Sequence, residues 1–294
     1  MPEGKIIKAL SGFYYVLNHE NELIQCRGRG IFRKNKVTPL VGDYVSYQAE
    51  NEDEGTVLEI YPRKNELVRP PIANVDQAIL VFSAIEPDFS PLLLDRFLVL
   101  IEANDIEPVI CISKIDLLSE EKRVKINKFA EDYRNIGYEV IVTSTVETDG
   151  IQKLIPLLEN QISVFAGQSG VGKSSLLNVL RPELELKTDD ISSHLGRGKH
   201  TTRHVELIKI GTGFVADTPG FSSLEFTEIE GEDLSLCFPE LKEKGSFCKF
   251  RGCLHTSEPK CAVKKAVEVG EIQTYRYDHY LSFLEEIKDR KPRY

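Results

Sequence analysis

One stretch constrains this chain more than any other: Gly167-Gln168-Ser169-Gly170-Val171-Gly172-Lys173-Ser174, followed by Ser175. It fits G-x-x-x-x-G-K-[ST] at every fixed position. The chemistry needs these residue types. Glycines let successive backbone N–H groups close around phosphate oxygens, Lys173 reaches the β- and γ-phosphates, and the Ser174 hydroxyl can ligate Mg²⁺. Such a loop works only between a buried strand and a helix. The apolar run Ser163–Ala166 precedes it and the helical pattern Lys173–Leu180 follows.

The surrounding pattern agrees. Ala78–Ala84, Glu107–Ser113, Glu139–Thr143 and Ser163–Ala166 are runs with little polar alternation, as strands buried on both faces require. Amphipathic stretches Leu92–Glu102, Glu120–Asn135 and Gly150–Glu159 separate them. Val205–Ile210 and Gly213–Asp217 add two more strands. Strand–helix alternation of this kind predicts an α/β domain with a doubly wound, mainly parallel sheet over 66–227. Residues 1–65 have another rhythm: Gly4–Leu10, Phe13–Asn18, Leu23–Arg27, Asp43–Gln48 and Thr56–Ile60 read as five short strands. That count and spacing predict a small barrel, either an oligonucleotide/oligosaccharide-binding (OB) barrel or an SH3-like one. Residues 228–294 read as a helical domain with a cysteine-rich interruption and a final helix over Tyr275–Lys288.

Two further motifs bear on the nucleotide. Asp217-Thr218-Pro219-Gly220 ends a strand downstream of the loop, where a Mg²⁺-linked carboxylate and a γ-phosphate-facing amide belong. Ser113-Lys114-Ile115-Asp116 ends another strand. In GTPases the motif Asn-Lys-x-Asp in that place reads guanine. Asp116 would accept from the base N1–H and N2–H₂, and Lys114 would pack over the ring. Ser113 replaces the usual Asn and offers fewer hydrogen bonds. The order is unusual, because this motif precedes the phosphate loop by about 50 residues instead of following it. Either the match is accidental or the domain is circularly permuted, and permutation is inexpensive where the original termini lie close together. Val142-Thr143-Ser144-Thr145 then falls where a second guanine-contacting loop belongs, with Ser144 the residue that carries over.

With the permuted motif order, the stretch Gly196-Arg197-Gly198-Lys199-His200-Thr201-Thr202, the Asp217–Gly220 turn and a cysteine/histidine tail, the chain resembles the circularly permuted, ribosome small-subunit-dependent GTPases of the RsgA/YjeQ family. The likeness runs over essentially the whole chain. It implies an OB barrel at 1–65, a permuted P-loop GTPase at 66–227 and a zinc-binding helical domain at 228–294. It also implies a role late in maturation of the small (30S) ribosomal subunit, with GTP hydrolysis stimulated by that subunit. Gly196–Thr202 takes the place of switch I, where the family position favours Thr202 on Mg²⁺ beside Ser174 and Asp217. His200 matches a switch I histidine and is the candidate for orienting the attacking water, with a phosphate or RNA contact as its alternative role. The residue after Gly220 is Phe221, where many GTPases carry the water-orienting Gln. Slow intrinsic hydrolysis and a partner that completes the site are therefore expected. Gly170 stands where K⁺-using GTPases carry Asn, so no K⁺ dependence is expected.

Cys248, Cys253, His255 and Cys261 form C-x₄-C-x-H-x₅-C. Three thiolates and an imidazole suit one tetrahedral Zn²⁺ with no open position, hence a structural site. Cys26, Cys111 and Cys237 read as ordinary thiols. The formal net charge is −9, and residues 66–227 carry 16 basic against 24 acidic side chains. A protein that coats nucleic acid along its length is excluded, and any polyanion is met at the two ends. Lys249, Arg251, Lys260, Lys264 and Lys265 surround the cysteine cluster, and Arg27, Arg29, Arg33, Lys34 and Lys36 lie in the first domain. Together they suggest a two-sided clamp on ribosomal RNA, with a merely solvated charged face as the plain alternative.

No apolar run is long enough for a membrane span, and the first residues lack a signal-peptide pattern. A cytoplasmic monomer that binds GTP and GDP but no membrane is expected. A P-loop ATPase and a nucleotide-gated RNA-binding module with negligible turnover stay open as alternatives. Because switch II at Gly220–Leu224 runs directly into the C-terminal domain, the γ-phosphate state is expected to reposition that domain.

Overall fold

Five short strands open the chain: β1 (Glu3–Leu10), β2 (Phe13–Asn18), β3 (Leu23–Gly28), β4 (Tyr44–Ala49) and β5 (Glu54–Ile60), with helix α1 (Gly30–Lys34) between the third and fourth. The structure is a computed structural model that describes residues 1–51, 53–68, 70–144, 149–180, 205–217 and 224–290. Alternate side chains of these strands (Ile6, Val16, Ile24, Cys26, Val45, Tyr47 and Val57) turn inward and are buried. That alternation is what allows a closed sheet with a dry interior. β1 pairs antiparallel with β2 and β2 with β3, β3 runs parallel to β5, and β4 pairs antiparallel with both β5 and β1. The cyclic order 1-2-3-5-4-1 with a helix before the fourth strand is that of the OB barrel. It decides between the two barrels the strand spacing had allowed.

A two-stranded ribbon, β6 (Glu66–Leu67) and β7 (Ile72–Ala73), leads into the central sheet. Arg63 anchors this passage. Its Nε and Nη2 lie 2.7 and 2.8 Å from the two oxygens of buried Asp43.

The central region alternates as expected: β8 (Gln77–Ser83), α2 (Pro91–Glu102), β9 (Glu107–Ser113), α3 (Glu120–Ile136), β10 (Glu139–Val142), α4 (Asp149–Leu158), β11 (Ile162–Ala166), α5 (Lys173–Leu180), β12 (Glu206–Ile210) and β13 (Gly213–Asp217). Ser90 caps α2 and Pro91 opens it, a residue whose missing N–H costs nothing there. Every residue of β8 and β11 is buried, because helices cover both faces. The spatial order is β10-β9-β8-β11-β13-β12. The first five strands are parallel, and β12 runs antiparallel to β13. The strand before the phosphate loop therefore stands in the middle, with the strand before Ser113 two places away.

β1 also pairs with β12 at Lys8↔Glu206, so barrel and central sheet join edge to edge into one 11-stranded sheet. Lys8 Nζ lies 2.9 Å from Glu206 at this point. The C-terminal part consists of α6 (Pro239–Gly245), α7 (Ala262–Glu268) and α8 (Thr274–Asp289). Their core of Phe238, Leu241, Val263, Tyr280 and Phe283 also takes in Val99 of α2. No described helix is long and apolar enough to cross a membrane.

Candidate functional site: a phosphate loop, a base motif and a Cys₃His cluster

Parallel strands end on the same side, so their C-terminal edge collects whatever follows them. Register fixes the neighbours: Ala166 pairs with Leu80, Ser83 with Ser113, Val142 with Ile112 and Val164 with Ala216. The loop 167–174, the motif 113–116, Ser144 and the backbone of Asp217 thus share one edge. Motifs far apart and inverted in sequence are brought to one place by sheet order alone.

The loop has the backbone its glycines predict. Gly167, Gly170 and Gly172 have φ of +139°, +80° and +97°. A Cβ on Gly167 would sit 2.1 Å from the Val81 carbonyl oxygen, so the loop packs against β8 only because that atom is missing. Val171 is buried and pins the loop to the core, while Gln168, Ser169 and Gly170 are exposed at its crest. Lys173 begins α5 and folds back: its Nζ donates to the carbonyls of Gly167 at 2.9 Å and Gln168 at 2.6 Å. Burial lowers the Lys173 pKa, so an anion there would be welcomed by a desolvated ammonium. Ser174 is buried in the first turn of α5 and Ser175 is half-buried beside it.

Ser113 is the unexpected contributor. It is buried, and its Oγ lies 2.6 Å from the Val171 carbonyl and 3.3 Å from that of Phe82. The shorter residue therefore still makes a bond that matters, tying the base motif to the phosphate loop. Lys114 takes a left-handed conformation (φ +59°) and its Nζ donates to the Glu86 carbonyl. Asp116 lies half-buried in the 3-10 turn Ile115–Leu117 and accepts no hydrogen bond among the described residues. The Ile115 amide donates to the Thr143 carbonyl at 3.4 Å, and the Thr143 amide to Ile112 at 2.8 Å. These bonds set buried Ser144 against the Asp116 turn. Thr201, Thr202, His200 and the rest of 196–204, together with Thr145, Gly220 and Phe221, lie outside the described residues, as does the Asp217 carboxylate.

The cysteine cluster is a second site. The ligating atoms of Cys248, Cys253, His255 and Cys261 all lie within 4.8 Å of one another. Cys248 Sγ is 3.8 Å from Cys261 Sγ and 3.6 Å from His255 Nδ1, and Cys261 Sγ is 3.4 Å from that nitrogen. A tetrahedral ion with bonds of about 2.3 Å to sulfur and 2.0–2.1 Å to nitrogen needs S–S edges of about 3.8 Å and S–N edges of about 3.6 Å. The donor set therefore fits such an ion in both chemistry and spacing. A second layer holds it: Tyr277 Oη donates to the His255 carbonyl at 2.6 Å, and Tyr280 Oη to that of Leu254 at 2.7 Å. Glu258 accepts from the Leu254 and Thr256 amides, both at 2.8 Å. Burial pushes the Cys253 thiol up to about 12 and raises Cys261, whereas burial at Cys248 is outweighed by the Ala262 and Val263 amides, which lower it; a cation would favour all three thiolates.

Sequence reasoning missed what fastens this cluster to the nucleotide-binding body. Arg276 of α8 is fully buried. Its guanidinium bonds Asp95 of α2 and makes two bonds to Glu240 of α6, at 2.7 and 3.1 Å. Asp95, also fully buried, accepts from Tyr133 Oη of α3 at 2.6 Å and meets His279 Nδ1 at 2.6 Å. Next to it, Arg96 Nη1 donates to the Leu224 carbonyl at 3.0 Å and to Glu286 at 2.9 Å. The one sequence signal was Asp95 itself, a carboxylate within the apolar run Leu92–Ile101.

The RsgA GTPase family model matches residues 60–227, and the RsgA N-terminal domain model matches residues 3–57. A protein of Bacillus cytotoxicus named small ribosomal subunit biogenesis GTPase RsgA is 71% identical over 294 residues, covering 100% of both chains. Its namesake in Bacillus subtilis is 67% identical over 298 residues, again covering 100% of both. The crystal structure of YloQ, described as a circularly permuted GTPase, superposes with a TM-score of 0.88 at 62% identity over 100% of this chain and 97% of that one. YjeQ from Thermotoga maritima gives the same TM-score at 39% identity over 99% of each chain. The likeness thus runs along the full length of the chain, barrel and permuted GTPase domain included, and the chain belongs to the RsgA GTPase family.

Proposed function

We propose that this chain is a Mg²⁺-dependent GTPase that binds the small ribosomal subunit through its RNA and acts late in that subunit's maturation, which in turn stimulates hydrolysis. The observation that supports the base assignment is the 2.6 Å bond from Ser113 Oγ to the Val171 carbonyl, which ties the strand end that carries the base motif to the phosphate loop despite the inverted motif order. The name of its relatives supports the ribosomal partner.

In this reading the loop amides of 167–172 and the Lys173 ammonium bind the phosphates. Asp116 accepts from guanine, Lys114 lies along the ring and Ser144 completes the base site. The loop carbonyls that Lys173 now holds are released as it turns to the nucleotide. Ser174, Asp217 and Thr202 would hold Mg²⁺, which supplies charge neutralisation between the β- and γ-phosphates. His200 orients water in place of the Gln that Phe221 excludes, with the Gly220 amide at the γ-phosphate. One structural Zn²⁺ sits on Cys248, Cys253, His255 and Cys261. Work is divided among an RNA-binding barrel at 1–65, a GTPase at 66–227 and a zinc domain at 228–294, in a cytoplasmic monomer.

The test is phosphate release from GTP and from ATP, with and without purified small subunits, for wild type and Lys173→Ala. GTP-specific stimulation that the variant loses supports the reading. Equal use of ATP refutes the base assignment. GTP binding without stimulation makes the chain a switch module that turns over elsewhere or not at all.

A further inference from the structure

The seam between barrel and central sheet is closed at one end only. β1 and β12 pair at Lys8↔Glu206, antiparallel, with an ion pair across the join. Three residues along, the same edge of β1 is taken by β4, where Lys5 pairs with Tyr44. β12 therefore has no partner there, and the seam opens into a cavity of about 370 Å³. Lys5, His19, Asn21, Tyr44, Lys209 and Phe214 are among its walls, and no Asp or Glu lines it.

The lining is preorganised. Lys5 Nζ lies 4.9 Å from the Tyr44 ring centre and 4.6 Å from that of Phe214, held between two aromatic faces. It has no carboxylate partner among the described residues. Lys209 Nζ reaches across from the central sheet to Asn21 Oδ1 of the barrel at 2.7 Å. Tyr44 is 47% exposed, so one face of its ring stays open to a further planar group. Two ammonium groups lining one cavity beside a half-exposed aromatic ring match one phosphate and one base.

We propose that this seam is a binding site for a nucleotide unit of single-stranded RNA, its phosphate between Lys5 and Lys209 and its base on Tyr44 or Phe214. The inference rests on the proposed function for the identity of the polyanion. It concerns a different place from the nucleotide site, because the cavity lies at the Gly211–Thr212 turn of the β12–β13 hairpin. From there to Asp217 is five residues of strand, about 17 Å at 3.3–3.4 Å per residue. The same hairpin joins 196–204 to 218–223, so a strand of RNA held at its turn would brace the link between both switch segments.

The experiment uses the full zinc-loaded chain and a fluorescein-labelled oligouridylate in anisotropy titrations at several KCl concentrations, with Lys5→Ala/Lys209→Ala, Lys5→Arg/Lys209→Arg and Tyr44→Ala. Losing the one phosphate contact that the two cations share should flatten the slope of log K against log salt by about 0.7, and the double Arg variant should restore it. Tyr44→Ala should weaken binding roughly 5- to 150-fold. A 4-thiouridine oligonucleotide should crosslink to Tyr44 or Phe214. An unchanged slope, or crosslinks confined to the other barrel strands or the zinc domain, overturns the proposal even if subunits stimulate GTP hydrolysis. Equal competition by uridine monophosphate at matched phosphate makes it a mononucleotide site and overturns the strand assignment. Crosslinking at Tyr44 without subunit stimulation would instead uphold the site and refute the proposed function.

Discussion

Arg276→Met removes the charge at the centre of the buried network while keeping a flexible apolar side chain of comparable reach. Taking one partner from a buried ion pair costs about 3–5 kcal/mol, because the other charge stays behind without compensation. The structure says where in that range to look. Asp95 keeps two partners at 2.6 Å, Tyr133 and His279, so it is not orphaned. Glu240, whose side chain is 11% exposed, loses both bonds that hold it. The guanidinium also lies 4.6 Å from the Phe238 ring centre, a contact the sulfur of Met largely replaces. About 3 kcal/mol is therefore expected, at the low end of the range. With slopes of about 1–3 kcal/mol per molar urea, the transition of the C-terminal part should move down by roughly 1–3 M. Far-UV circular dichroism together with zinc release to a chromogenic chelator would report it. Adding Glu240→Gln removes the uncompensated carboxylate and should recover most of the loss. A single-variant shift under about 0.3 M, or a double variant less stable than the single one, would refute this account of the network.

Asp116→Asn should move preference from GTP to xanthosine triphosphate by roughly 100-fold in binding competition, because an amide donor then faces the base where a carboxylate accepted two bonds. Retained GTP preference would remove Asp116 from the base site. Cys253→Ser should take zinc content from one per chain to near zero and loosen α7, read by metal analysis and amide exchange. Gly167→Ala must displace the Val81 carbonyl, which its Cβ would meet at 2.1 Å, whereas Gly170→Ala meets nothing within 4 Å. The first should therefore lose GTP-analogue affinity and melting temperature, while the second costs only about 1–2 kcal/mol of backbone strain. The Arg96 hydrogen bond holds the Glu286 carboxyl below its ordinary value of 4.5. That contribution is complete above pH 4.5, disappears as pH falls through the lower folded value, and is capped at about 1 kcal/mol by exposure. Glu286→Gln should thus flatten the stability profile only in acid, as acid titration followed by circular dichroism would show.

What could be read from the sequence was what is local in it. The phosphate loop is eight consecutive residues whose glycine positions state their own backbone requirement, and all three positive φ values follow. The Cys₃His cluster spans 14 residues, so its closeness in space needs only a turn. The base motif could be seen but not placed, because its distance from the loop depends on β8 and β11 being neighbours. The barrel could be counted but not typed, because OB topology rests on the parallel β3–β5 pair, a non-local choice. Ser113 looked like a weakened Asn until the Val171 carbonyl appeared within reach of its hydroxyl. Arg276 and Asp95 are 181 residues apart, so Asp95 stands out in its apolar run while nothing local names its partner. Lys5 and Lys209 line one cavity only because the barrel docks edge-on against β12.

If 196–204 and 218–223 are the switch segments, as proposed, the permuted order changes what they are attached to. In this chain 196–204 leads into β12, whose far side pairs with the barrel, and 218–223 leads into Leu224, whose carbonyl Arg96 holds. Each switch exit is therefore tied to a different appended domain. A C-terminal domain that swung away as a whole on loss of the γ-phosphate would have to open the Arg276–Asp95–Glu240 cluster. Separating those buried charges costs several kcal/mol, close to the roughly 5.5 kcal/mol needed to carry a two-state switch from 1:99 to 99:1. Arg96 offers a less costly route. Its ion pair with Glu286 is partly exposed, and its guanidinium stacks 4.6 Å from Phe226 and 4.9 Å from Phe283. On the proposed reading, movement of Leu224 would reach α8 through Arg96 while α2 and α8 stay clamped together. A nucleotide signal of that kind would adjust the C-terminal domain about a fixed anchor on α2, with Arg276 keeping the anchor closed and Arg96 carrying the displacement.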